Sequence, residues 1–175
     1  MASYFESAIG HLIYNLRGRD AKLFTKAPTF GAPFDPTVTV YSPDYGQTPA
    51  TATTTTPPTP MRSQHTQVGE NHFPSLAWTV PWELSEQVES WMVVVEDPDA
   101  PLPSPIVHGL YYGLAASKTS ITNADIEAVG SPHEAGKKAE FCYGRNRHKT
   151  VWAGPRPIRG HGSHRYYFQV VGVRG

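Results

Sequence analysis

The sequence predicts a mostly β protein, and three runs of residues carry that prediction. Trp91-Met92-Val93-Val94-Val95, Ile106 to Leu114 and Tyr166 to Val173 are apolar, β-branched or aromatic, the composition of strands buried on both faces of a sheet. Each run is bounded by proline or glycine. Pro98 and Pro101 follow the first, and because each lacks a backbone donor and fixes φ, the Asp97-Pro98-Asp99-Ala100-Pro101 segment reads as a rigid turn just past a strand end. Gly160-His161-Gly162-Ser163-His164-Arg165 precedes the third run and reads as a glycine-rich loop that delivers His164 and Arg165 to a strand entrance. The second run carries one polar side chain, His108, which inside an apolar surround needs a partner.

The remaining elements follow in chain order. Tyr4, Phe5, Ala8, Ile9, Leu12, Ile13 and Leu16 recur at helical spacing, so residues 3 to 18 read as an amphipathic helix. Ser3 and Glu6 stand as a capping box and Gly18 as the residue that ends it. The expected place for its apolar face is against its own domain or a second subunit. A membrane-surface role fits poorly, because the polar face is not rich in Lys or Arg. Val38 to Tyr41 reads as a short first strand. Thr48 to Pro60 is a Pro/Thr tract that cannot supply a core, so residues 48 to 66 are expected as a loop insertion within the domain, one that folds over a site as a lid in one reading. Thr119 to Val129 holds a short helical turn around Asn123 to Glu127, and Gly130 to Lys138 reads as loop. The basic run Gly144 to Lys149 is, by composition alone, a solvated loop.

Composition sets outer bounds. The chain has 175 residues, a size that one core can serve, and fifteen basic against fifteen acidic residues leave no global field to gather nucleic acid or an anionic membrane. One cysteine, Cys142, excludes an internal disulfide, and no Cys/His zinc spacing is present, so neither metal nor cofactor is expected. Glu6 and His11 interrupt any signal-peptide core, and no stretch approaches the ~20 apolar residues of a membrane span. A cytoplasmic protein is the expectation.

Six segments, in order, carry a resemblance: Glu70-Asn71-His72-Phe73-Pro74-Ser75-Leu76-Ala77-Trp78; Val95 to Pro101; His108; Gly144-Arg145-Asn146; Gly154-Pro155-Arg156-Pro157; and Gly162-Ser163-His164-Arg165-Tyr166. In these the chain resembles the phosphatidylethanolamine-binding protein family, in its short bacterial and fungal form, over roughly residues 37 to 173. The resemblance implies a central antiparallel sheet packed on a smaller one, with few peripheral helices, here joined by the added N-terminal helix in a single domain. It also implies a small cavity for phosphate or carboxylate groups, lined by Asp97, His108 and His164. Pro101, Gly154, Arg156, Pro157 and Tyr166 stand beside it, and loop backbone around Gly154 to Pro157 supplies donors. In the same pattern Asp99 pairs with Arg165 as a structural clamp, and Asn146 shapes the adjoining wall.

Histidines titrate near about 6.5 and a neighbouring carboxylate favours the charged form, so Asp97 is expected to keep one imidazole protonated as a donor to an oxyanion. His161 is expected to face solvent. Arg156 offers a bidentate grip on an anion if it turns inward and is merely solvated if it turns outward. The sequence stops at Gly175, directly after the last apolar run and without the C-terminal helix of longer members, which leads to the expectation of a cavity that is more open or is covered by another element or subunit.

Two functional classes remain open at this point. The chain is a binding module for a small anionic ligand, or it is a cofactor-independent enzyme or accessory protein. In the second class His164, His108 and Asp97 perform acid-base or anion-templating chemistry. Fungal proteins resembling the family occur in natural-product pathways, including those that couple maleic anhydride units in maleidride-type biosynthesis, so a biosynthetic partner enzyme is an implied partner alongside a second copy of the chain. A Ser163 nucleophile is disfavoured, since adjacent strand residues point to opposite faces and Ser163 cannot then share a face with His164.

Overall fold

A computed structural model describes residues 2–31, 37–52, 58–130 and 140–174. Helix α1 spans Ala2–Leu12, followed by strands β1 (Thr39–Tyr41) and β2 (Leu76–Thr79), the short helix α2 (Trp82–Ser85), β3 (Ser90–Asp97), β4 (Ile106–Ala115), β5 (Ser120–Ile121), α3 (Asn123–Gly130), β6 (Cys142–Tyr143) and β7 (Tyr167–Val173). Two antiparallel sheets result, a larger one in the order β6-β4-β3-β7 and a smaller one in the order β1-β2-β5. The mostly β architecture with one sheet packed on another is therefore present.

The pleat explains why these runs became central strands. In β3, Trp91, Val93 and Val95 alternate onto one face and are essentially inaccessible, with Val94 buried on the other. Trp91 meets Trp78 of β2 edge to face at 5.7 Å, which seats the large sheet on the small one. Phe73, between the sheets, packs edge to face on Tyr111 at 5.5 Å and on Trp152 at 5.1 Å. Burial of side chains of this size contributes roughly 1.5–3 kcal/mol each.

One irregularity decides where the site lies. Along β3 and β4, Val95 faces Gly109 but Glu96 faces Val107, so His108 is an extra residue in β4. It is a bulge, a device that bends a strand and re-aims a side chain near sheet ends. A second bulge places Gly113 opposite the Trp91/Met92 step, at φ 72°, where a residue with a Cβ would be strained.

The N-terminal helix differs from the sequence expectation. It ends at Leu12, and Gly18, at φ 77°, lies beyond it in the following segment. Ser3 and Glu6 do not cap one another; the Ser3 hydroxyl accepts from Arg159 Nη1 at 2.9 Å, and Glu6 accepts from the Arg159 backbone N–H at 3.4 Å. The reason is Gly10, whose missing Cβ lets the helix backbone approach the Arg159 carbonyl. The helix therefore docks through its small and polar side, and Tyr4, Phe5 and Leu12 are left exposed.

The expected turn at Asn123 to Glu127 is helix α3, started by Asp125, which accepts from the Thr122 N–H and hydroxyl at 2.7 and 2.8 Å. Of the Pro/Thr tract, residues 53–57 lie outside the described residues, as do 131–138 of the expected loop at 130 to 138. Among the described residues no helix is long and apolar enough to cross a membrane.

Candidate functional site

The site forms where the C-terminal end of β3, the bulge of β4 and the loop before β7 meet. Asp97 closes β3 and is buried; Oδ1 accepts from the N–H groups of Asp99 and Ala100 at 2.8 and 3.1 Å, which folds the proline turn back on the strand end. That leaves Oδ2, which accepts from His164 Nδ1 at 2.7 Å and lies 4.0 Å from His108 Nε2.

His108 is held on two sides. Nδ1 donates to the Ala153 carbonyl at 2.5 Å, and the His108 carbonyl accepts from Ala153 N–H and Asn146 Nδ2, both at 3.0 Å. The same Asn146 accepts at Oδ1 from the N–H groups of His148 and Thr150, so one buried amide fixes both the loop and the bulge. With Nδ1 committed as a donor, His108 Nε2 is the bare nitrogen of a neutral ring, and it is buried with no hydrogen-bond partner. Burial lowers the His108 pKa and outweighs the opposing pulls of the Ala153 carbonyl and Asp97. Tyr166 stands edge-on to His108 at 5.3 Å, and Trp152 lies beside it at 6.2 Å. Burial, helped by Asp97 and Asp99, pushes the Tyr166 hydroxyl well above its ordinary range, so it remains a proton donor.

Asp99 is more deeply buried than Asp97 and does different work. It accepts from the Arg165 backbone N–H at 2.9 Å, from Arg165 Nε and Nη2 at 2.8 Å each, and from Gly18 N–H at 3.2 Å. Arg165 in turn reaches Asp20 at 2.8 and 2.9 Å. Burial alone would raise the Asp99 carboxyl, but the Arg165 bonds win and hold it well below the usual carboxylate range.

The Gly154 to Pro157 loop contributes less than the sequence suggests. The Gly154 N–H donates to Asn71 Oδ1 at 2.9 Å, and its carbonyl accepts from Gln67 Nε2 at 2.7 Å. Pro155 and Pro157 have no N–H to offer. Arg156 and Pro157 are exposed. Pro101, at the far end of the turn, is only partly covered. No group of three or more His, Cys, Asp or Glu among the described residues is arranged to hold a metal ion.

The family model described as phosphatidylethanolamine-binding protein matches residues 50–173. The chain belongs to the phosphatidylethanolamine-binding protein family. Within it, the chain is similar to proteins named "Phomoidride biosynthesis cluster protein B", 36% identical over 96% of this chain in Talaromyces stipitatus and 35% identical over 96% in another fungus. It spans 65% and 76% of the length of those two relatives. Among solved structures, Escherichia coli YbcL, titled a new member of the mammalian family, matches at 30% identity and a TM-score of 0.50, over 62% of each chain.

Against that family pattern His161 is the residue that sequence reasoning missed. It does not face solvent: it has 0% exposure, with Nδ1 at 2.7 Å from His164 Nε2 and Nε2 donating to the Ile13 carbonyl at 2.9 Å. Gly160 and Gly162 flank it at φ 84° and 85°, and two left-handed residues curl the loop so that the ring between them turns inward. The Gly-His-Gly triplet was the available signal. Both nitrogens of His164 are thereby occupied, one by Asp97 and one by His161.

Proposed function

We propose that this chain binds a small oxyacid, phosphate- or carboxylate-bearing, at His108, Tyr166 and the Asp97–His164 pair. The observation that carries this reading is the unpartnered His108 Nε2. A buried polar atom without a partner costs roughly 1–3 kcal/mol, which supports reading it as an atom that meets a ligand; Trp152 Nε1, on the ring beside His108, and Trp78 Nε1 are buried without a partner in the same way. Because the ring is neutral, Nε2 accepts. The ligand therefore presents a hydrogen to it, from the hydroxyl of an acid or from an acidic C–H, while the Tyr166 hydroxyl donates to a ligand oxygen. The hydrogen-bonded His164 and Asp97 stand beside that contact.

The test is calorimetric titration with inorganic phosphate, whose hydrogen phosphate forms keep a hydroxyl, and with succinate at mildly acidic pH, where one carboxyl keeps its proton. Wild type should bind at least one of them, and His108→Ala should weaken that binding tenfold or more, the equivalent of about 1.4 kcal/mol. No binding of either, or equal binding by both proteins, overturns the reading.

A second reading is favoured by the two fungal relatives named for a phomoidride biosynthesis cluster. In it the same groups act on the ligand: His108 Nε2 removes a proton from the substrate or from an attacking water, and the Tyr166 hydroxyl stabilises the oxygen that becomes negative. The chain is then a cofactor-independent catalyst or the accessory of a biosynthetic enzyme. Turnover of an alkylated maleic anhydride by wild type, lost in His108→Ala, supports it; no turnover alone or with a cluster enzyme leaves the binding module. Pairing of two copies through Tyr4, Phe5 and Leu12 belongs to either reading, and a monomer by light scattering at high concentration ends it.

A further inference from the structure

The loop that delivers His164 is gripped along its length by the N-terminal segment. A Cβ on Gly10 would overlap the Arg159 carbonyl, and one on Gly160 would crowd the Ser7 carbonyl. Ile13 takes the Nε2 proton of His161, the Tyr14 ring covers Gly162, and the Arg17 guanidinium donates to the Ser163 carbonyl. Five consecutive loop residues, 159 to 163, thus each meet a residue between Ser7 and Arg17. The Arg17 guanidinium also stacks over the Tyr14 ring at 5.5 Å and approaches Asp99 at 3.6 Å.

We propose that docking of the N-terminal segment on residues 159 to 163 sets the ring of His164, and that His161 is the positioning residue that transmits it. His164 is fixed because each of its nitrogens has a partner, Asp97 on one side and His161 on the other. His161 is fixed in the same way, and its outer partner is the backbone of residue 13. Displacing the segment removes the Ile13 carbonyl, frees the His161 ring, and so releases one of the two restraints on His164. Asp97 then loses a held donor and the electrostatic setting of His108 changes. Gly10 touches none of the groups assigned to the ligand, and His161 touches only His164 among them, so the coupling runs through the hydrogen-bonded chain. The phosphate measurement below rests on the binding reading given above; the spectroscopic one does not.

The experiment uses the full chain, labelled with nitrogen-15, and long-range proton–nitrogen imidazole spectra that report which nitrogen of His164 carries its proton. Three variants are compared with wild type: His161→Phe, which keeps the ring volume without nitrogens; His161→Gln, which retains a donor and an acceptor; and Gly10→Ala, whose Cβ would overlap the Arg159 carbonyl and press on the His161 backbone nitrogen, lifting α1 from the loop without altering any imidazole. His161→Phe and Gly10→Ala should shift the His164 pattern from one fixed tautomer to an averaged one and weaken inorganic phosphate about tenfold. His161→Gln should keep the pattern and stay within about threefold. An unchanged His164 pattern in both His161→Phe and Gly10→Ala overturns the proposal, as do equal losses in the Phe and Gln variants, which would make the effect one of packing. If His161→Phe does not fold, by loss of cooperative melting, Gly10→Ala decides alone. If wild type binds no phosphate, the binding reading falls while the tautomer pattern still decides the coupling.

Discussion

Arg165 grips Asp99 through its backbone N–H, its Nε and its Nη2, at 2.9, 2.8 and 2.8 Å, joining the proline turn after β3 to the loop before β7. Asp99 is 1% exposed. Removing a partner from a buried charge costs more than the pair contributes, because the remaining charge is stranded. Arg165→Ala should therefore lower unfolding stability by roughly 3 kcal/mol in urea titration. A variant as stable as wild type that has lost only ligand binding would move Arg165 from the scaffold to the site.

His108 gives the fold a pH dependence of known sign. Its folded pKa is lowered by burial, so below about 6.5 the unfolded chain takes up a proton that the folded chain refuses, and stability falls as the pH drops through that value. A second decline belongs to Asp99 and Asp20, both held below their ordinary values against the pull of burial by their bonds to Arg165; it begins as the pH falls below about 4. Melting temperatures from pH 8 to 3 should show both steps. His108→Gln should remove the first and leave the second, and a first step that survives the substitution assigns it elsewhere.

Gly154 is kept for space. A Cβ there would overlap Asn71 Oδ1 and press on the His65 carbonyl, so the loop cannot yield on the backbone side. Gly154→Ala should cost about 1–3 kcal/mol and loosen the Gln67 and Asn71 bonds, seen as faster amide exchange at residue 154. A neutral substitution would show that the loop shifts freely.

Arg156 is exposed, and no ion pair holds it among the described residues. Arg156→Ala should change phosphate affinity by less than about twofold, within the range of ordinary surface substitutions. A tenfold loss would mean that the guanidinium swings onto the ligand when one is present.

The strands were legible because their signal is local. Trp91 to Val95 and Tyr166 to Val173 carry β-branched and aromatic residues whatever lies around them, and the two proline-bounded aspartates announced a turn. What surrounds a residue was not legible in the same way. His161 reads as a loop residue until the N-terminal segment is laid over it, a contact between positions 148 apart in sequence. The bulge at His108 likewise leaves no mark in the run Ile106 to Leu114, because it arises from the register of two strands. The N-terminal helix was overlong in the reading since Ile13 and Leu16 extend the apolar period, whereas the chain leaves the helix after Leu12 to follow the loop that its Gly10 face touches.

The clamp between Asp99 and Arg165 also bears on the order in which the protein is made. The two residues are 66 positions apart, and the carboxylate comes first. Until residue 165 emerges from the ribosome, a nascent chain that closes β3 onto β4 must leave Asp99 hydrated or seal it without its main counter-ion. Closure of the turn is therefore deferred until β7 pairs with β3 and the arginine arrives with it.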